Sequence, residues 1–311
     1  MLRIKYLQLE ILKDNGITGE VHYVTTEDGY ILTNYRINGG ENSTPVVLGT
    51  GITFTGSSWL MRGRNDSIAY LLADQGYDVW LVNNRGTDDG MKHVNLTSDD
   101  SKFWDFTFHE MGIYDMPAVI EYITKLTKQK LFYIGYSQSS TFGFIMASKR
   151  LDIAKKIRLM IHLAPIAYVT HIKGALGLFH TPLYYIIQDI WNSFFAGASR
   201  GSPLKSIIHH YQNLMSGKFR QFNYGEKENM KIYNSTSPPD YNLTAIDVPT
   251  VFFAAKNDWL ADFDDAKKVY NMLANGKGFN VVNYESFAHL DYVWAKDIKK
   301  LINDPIINLL N

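Results

Sequence analysis

The order of apolar runs in this 311-residue chain predicts an α/β protein, a mostly parallel sheet covered by helices on both faces. Three observations carry that expectation. Strand-like and helix-like stretches alternate through most of the chain. A serine, Ser137, stands where an apolar strand-like run gives way to a small-residue helical run. Hydrophobic residues make up 46 % of the composition, enough over this length to bury a substantial core in one domain spanning 1–311.

Residues 19–37 read as a β-hairpin turning at Glu27-Asp28-Gly29. Short apolar runs then predict strands near 45–49, 78–83, 131–135, 158–163, 250–255 and 280–284. Helical periodicity is expected around 66–75, 110–127, 139–150, 263–274 and 292–302. The alternation stops over 166–240, an aromatic-rich stretch inserted between two core strands, with Leu178, Phe179, Tyr184, Tyr185, Trp191, Phe194 and Phe195 among its residues. It reads as a helical cap whose inner face can line an apolar pocket. No internal repeat, low-complexity tract or long linker interrupts the chain.

Gly135-Tyr136-Ser137-Gln138-Ser139 has the pattern of a nucleophile elbow, with Ser139 where a second glycine is expected. A sharp strand-to-helix turn lifts a serine hydroxyl clear of the sheet, and small flanking residues let the turn close. Serine at 139 is read as a tolerable compromise. A nucleophilic serine needs a histidine to take its proton and a carboxylate to orient that histidine. Asp258 follows the apolar run Thr250–Ala255, on the rim where open parallel sheets bind ligands. His289 lies downstream on a loop after the last strand. Ser137, Asp258 and His289 are therefore the expected nucleophile, acid and base. The chemistry also wants two N–H donors for an oxyanion, one just after the nucleophile and one on the loop after an early strand. Gln138 and the loop after Pro45-Val46-Val47-Leu48-Gly49 fit.

Formal charge is +0, which points to neither nucleic acid nor an anionic surface. The absence of cysteine excludes disulfides, thiolate catalysis and thiolate metal sites. No metal motif is present, no cofactor is expected, and no apolar run reaches the length of a membrane span. The start, Met1-Leu2-Arg3-Ile4-Lys5-Tyr6, lacks the uninterrupted apolar core of a signal peptide. Sequons at Asn42, Asn65, Asn95, Asn234 and Asn242 lend mild support to passage through the secretory pathway.

The chain resembles the acid lipase family, the gastric and lysosomal acid lipases of the α/β-hydrolase superfamily, over nearly all its length. The segments that carry the likeness run in order: TTEDGYILTNYRI (25–37), GTGITFTGSSW (49–59), AYLLADQGYDVWLVNNRG (69–86), FWDFTFHEMGIYDMPAVIEYI (103–123), the elbow, LAPIA (163–167), SGKFRQFNYG (216–225), YNLTAIDVP (241–249), NDWLAD (257–262) and HLDYVWA (289–295). The resemblance implies an α/β-hydrolase fold and the triad Ser137, Asp258 and His289. It also implies an oxyanion hole from the backbone N–H groups of Ile52 and Gln138. Thr50 and Tyr136 stand where the family usually has histidine, and the cap at 166–240 is roughly 40 to 50 residues short of the family's.

The resemblance and the residues together lead to the expectation of a lipase that cleaves acylglycerols or sterol esters through an acyl-enzyme, working on neutral lipid at an interface. A short-chain carboxylesterase with an open pocket and a non-catalytic lipid-binding homologue are the alternatives. Family members are secreted or lysosomal, so the same location is expected for this chain, as a mature form, a fragment or an incomplete gene model. The sequence leaves the oligomeric state open.

Overall fold

The computed structural model describes residues 7–173 and 204–311. A hairpin of β1 (Glu20–Thr25) and β2 (Tyr30–Ile37) opens the sheet, in antiparallel register from Glu20 opposite Arg36 to Thr25 opposite Ile31. Gly29 takes φ +97° in the connecting turn, a conformation that glycine adopts without strain. The strands β3 (Pro45–Gly49), β4 (Asp78–Leu81), β6 (Leu131–Tyr136), β7 (Ile157–Leu163), β8 (Thr250–Ala254) and β9 (Gly276–Val281) pair in parallel. Along the sheet the order is β1-β2-β4-β3-β6-β7-β8-β9, with the two-residue β5 (Lys92–His93) beside β2.

The parallel strands are buried on both faces, as helix-covered sheets require. Alternate residues of β3 show it: Val46 and Leu48 join a core with Leu72, Ile302 and Ile306, while Val47 joins a second core with Ile120, Phe144 and Val269. Helix Ile68–Asp74 and the C-terminal helix Asp304–Leu310 cover the first face. Helices Met116–Thr127, Gln138–Lys149 and Phe263–Met272 cover the second. Beneath the hairpin, Arg85 is buried and forks between Asp28 and Asp115, with its guanidinium 3.9 Å from the Tyr30 ring. Arg85 and Asp115 are thus part of the framework.

The last strand and the closing helix differ from the sequence expectation. The last strand is Gly276–Val281 and not 280–284, because Gly278, Phe279 and Asn280 are the residues that pair with Val251, Phe252 and Phe253. As the edge strand it needs no continuous apolar run, so its glycines and lysine concealed it. The helix expected over 292–302 is divided into a single turn, Asp291–Trp294, a break at Ala295 (ψ +144°), and a π-type turn, Lys299–Asn303, leading into Asp304–Leu310.

The chain leaves the sheet after Leu163 and re-enters at Thr250. The described parts of this excursion include helices Leu204–Ser216 and Glu226–Tyr233. Helix Leu204–Ser216 is seated on the core by His209, whose ring stacks on Phe108 at 3.9 Å and whose Nε2 bonds the Arg220 carbonyl at 2.8 Å. The aromatic run expected to line a pocket, Leu178 to Phe195, lies outside the described residues.

Candidate active site

The chain proceeds from β3 to β4 on one side of the sheet and from β6 to β7 on the other, so β3 and β6 flank the point where strand order reverses. In open α/β sheets the crevice beyond the carboxyl ends of two such strands is where ligands bind. Ser137 follows β6 there, and the Thr50-Gly51-Ile52 loop follows β3.

Ser137 has φ +55° and ψ −120°, a conformation that costs a non-glycine residue on the order of 1–3 kcal/mol. The turn is held by its neighbours: the Ser137 N–H donates to the Leu163 carbonyl at 2.9 Å, and the Ser140 N–H to the Ser137 carbonyl at 2.8 Å. Gly135 permits the tight approach, since a Cβ there would lie 3.2 Å from the Ser139 carbonyl carbon. Ser139, at the expected second glycine, is accommodated. Its hydroxyl shares a 2.7 Å hydrogen bond with the Tyr133 hydroxyl, which also lies 2.8 Å from the Ser139 carbonyl.

Three expected residues meet. His289 Nε2 is 2.8 Å from Ser137 Oγ, and His289 Nδ1 is 2.9 and 3.1 Å from the two carboxylate oxygens of Asp258. A carboxylate can only accept, so Nδ1 carries the proton and Nε2 is left to accept from the serine hydroxyl. Asp258 is fully buried, and its Oδ1 also accepts from the backbone N–H groups of Leu260 and Ala261, both at 2.9 Å. The helix-capping duty in this acidic loop falls to Asp262, which accepts from the N–H groups of Asp264 and Asp265 at the start of Phe263–Met272. The side chain of Asn257 donates to the Ser286 carbonyl at 3.1 Å, tying the loop of Asp258 to the loop of His289.

Gln138 heads its helix, so its N–H is among the donors that helix geometry leaves unpaired. Gly51 closes on Ser137: a Cβ there would lie 3.3 Å from Ser137 Cβ, which brings the backbone leading to Ile52 beside the serine. Thr50, in the place of a histidine, locks this loop by donating from Oγ1 to the Phe54 carbonyl at 3.0 Å. The Gln138 side chain reaches helix Leu204–Ser216, with Nε2 3.3 Å from His210 Nε2. Burial pulls the His210 imidazole down to about 4, so at neutral pH it is uncharged and accepts this bond.

One contact is invisible in the sequence. The hydroxyl of Tyr136, the residue before Ser137, donates to the main-chain carbonyl of His289 at 2.8 Å across 153 positions. At the outer edge, Trp259 and Leu290, the residues following Asp258 and His289, are exposed apolar side chains. Among the described residues no helix is long and apolar enough to cross a membrane.

Residues 45–179 match the model of the alpha/beta hydrolase fold, and residues 9–63 match that of the partial alpha/beta-hydrolase lipase region. Lipase 1 of Drosophila melanogaster is 33 % identical over 346 residues, covering 97 % of this chain and 79 % of its own. The gastric triacylglycerol lipase of Bos taurus is 32 % identical over 353 residues, covering 95 % and 88 %. Two solved structures share the fold at low identity. An esterase of Pyrococcus furiosus has a TM-score of 0.61 at 16 % identity and covers 96 % of this chain and 92 % of its own. The alpha/beta hydrolase GrgF of a Penicillium species scores 0.60 at 14 %, covering 94 % and 98 %. With this fold and this degree of identity to lipases along nearly its whole length, the chain belongs to the acid lipase family of α/β-hydrolases, which makes it a carboxylic ester hydrolase.

Proposed function

We propose that this chain is a lipase that cleaves neutral lipid esters such as acylglycerols through an acyl-enzyme on Ser137. The unbroken relay from Asp258 through His289 to Ser137, with contacts of 2.9 and 2.8 Å, is the observation that carries the reading. Ser137 Oγ attacks the ester carbonyl as His289 Nε2 takes its proton, and Asp258 stabilises the imidazolium that forms. The N–H groups of Ile52 and Gln138 hold the tetrahedral oxyanion. His289 returns the proton to the departing alcohol, and water then releases the acid by the same steps in reverse. This chemistry requires no cofactor.

The neutral lipid substrate is supported by the related gastric triacylglycerol lipase and by the exposed Trp259 and Leu290, which offer apolar surface beside the relay. Residues 166–240 are the inserted cap of the single domain, shortened relative to the family. Their place between β7 and β8 supports this, as does the contact of His210 with Gln138. A secreted or luminal location fits the family and the five sequon asparagines, all of them exposed.

Hydrolysis of p-nitrophenyl esters from butyrate to palmitate tests the reading. Turnover that rises with chain length and is lost in Ser137→Ala supports a lipase. A preference for soluble short esters supports the carboxylesterase alternative. Lipid binding without turnover, in a folded protein, contradicts both.

A further inference from the structure

We propose that Tyr136 is a positioning residue for the proton relay: its hydroxyl anchors the main chain of His289 and thereby sets the direction in which the imidazole meets Ser137. The inference rests on the catalytic roles proposed for Ser137, His289 and Asp258. Tyr136 ends β6 fully buried, and besides the 2.8 Å bond to the His289 carbonyl its ring lies 5.3 Å from the His289 ring. The phenol is itself held on several sides. Phe54 stacks parallel to it at 6.4 Å, Trp59 meets it edge-on at 6.3 Å, and Tyr292 packs at 6.2 Å. Tyr292 in turn donates to the Phe253 carbonyl at 3.1 Å, on the strand that leads to Asp258.

The loop bearing Ile52 closes against the same ring, because a Cβ on Gly51 would come within 3.2 Å of Tyr136 Cε1. One side chain therefore touches the base loop and the proposed oxyanion loop while its own backbone carries the nucleophile. Burial, with the nearby Asp258 and Asp291 carboxylates, pushes the Tyr136 hydroxyl well above its ordinary value, so it stays a donor at any pH at which the enzyme works. Fixing a carbonyl restrains the backbone from which the histidine side chain projects. Proton transfer depends steeply on that alignment, and a displacement of about 1 Å can cost on the order of 100-fold in rate.

Kinetics on p-nitrophenyl butyrate, with the pH–rate profile and the thermal midpoint, test the assignment in Tyr136→Phe, Tyr136→His and Ser137→Ala. Removing the hydroxyl is expected to lower kcat about tenfold with KM within about twofold, and to move the pH–rate limb that reports His289. Tyr136→His is expected to behave alike, since an imidazole is shorter than a phenol, and it carries the test if the phenylalanine variant does not fold. Wild-type kcat and pH profile in either folded variant, beside an inactive Ser137→Ala, would overturn the positioning role alone. Activity surviving in Ser137→Ala would overturn the serine mechanism beneath it.

Discussion

Ser139 Oγ occupies the space that a side chain on Gly49 would need: a Cβ built on Gly49 would lie 2.0 Å from it. The extra atoms at the elbow's second small position are thus absorbed by a missing side chain on the neighbouring strand, and Tyr133 satisfies the hydroxyl. Helix and strand need not separate. Gly49→Ala should therefore destabilise the fold by about 1–3 kcal/mol, as overpacking does. In a Ser139→Gly background that cost should shrink by at least about 1 kcal/mol, since contacting positions couple. Urea denaturation of the two single variants and the double variant measures the coupling, and strict additivity would refute this packing relationship.

Asp258→Asn tests whether Asp258 orients His289 as the proposed base. An amide can offer N–H to Nδ1 where the carboxylate only accepts, so the imidazole would favour the tautomer that cannot take the Ser137 proton. Turnover of a soluble ester should fall about 10⁴-fold with KM nearly unchanged. A loss of less than tenfold would show that Asp258 is not the orienting acid.

His162 gives a prediction about acid stability. It is fully buried on β7 between Phe144 and Phe252, and among the described residues neither ring nitrogen has a hydrogen-bond partner. Burial pulls its pKa from 6.5 down to about 3. The unfolded chain therefore takes up this proton first. The contribution is constant above pH 6.5, and stability is lost as pH falls from there towards 3, by about 1.4 kcal/mol per pH unit. In His162→Leu the decline of denaturation midpoint between pH 6.5 and 4 should be shallower than in the wild type. Equal slopes would contradict the assignment. Burial lowers His109, His209 and His210 in the same direction, so the variant should flatten the decline only in part.

At the base of the inserted segment the sign is opposite. The His171 side chain pairs with Asp265 at 2.9 Å and the His171 backbone N–H donates to the same carboxylate at 2.9 Å, while the Lys173 backbone N–H donates to the Trp259 carbonyl beside Asp258. The hydrogen bond and charge of Asp265 raise the His171 pKa. The pair is then fully formed below pH 6.5 and lost as pH rises through the raised value. Hydrogen exchange at the His171 amide, corrected for intrinsic rate, should be better protected at pH 6 than at pH 9, and His171→Ala should remove the difference. Equal protection at both values in the wild type would show that the pair does not hold this segment.

Much of this architecture is legible in the sequence because its determinants are local. The β6 run and the small residues after it specify the turn at Ser137 within nine positions, and β3 and β8 are apolar enough to mark their own ends. The edge strand β9 is not, because a strand paired on one side carries glycines and lysine that read as loop. The tie from Tyr136 to His289 and the fit of Ser139 to Gly49 join residues 153 and 90 positions apart. Each of those residues reads alone as an ordinary buried or small side chain.

Ser137 is proposed to be a nucleophile activated by His289. Treatment of the folded protein with a fluorophosphonate, followed by peptide mass spectrometry, tests it without any assumption about the natural ester. One stoichiometric adduct on Ser137 is expected, formed at least about 100-fold more slowly in His289→Ala. An active preparation that carries no adduct on Ser137, or that labels equally fast without His289, would contradict it.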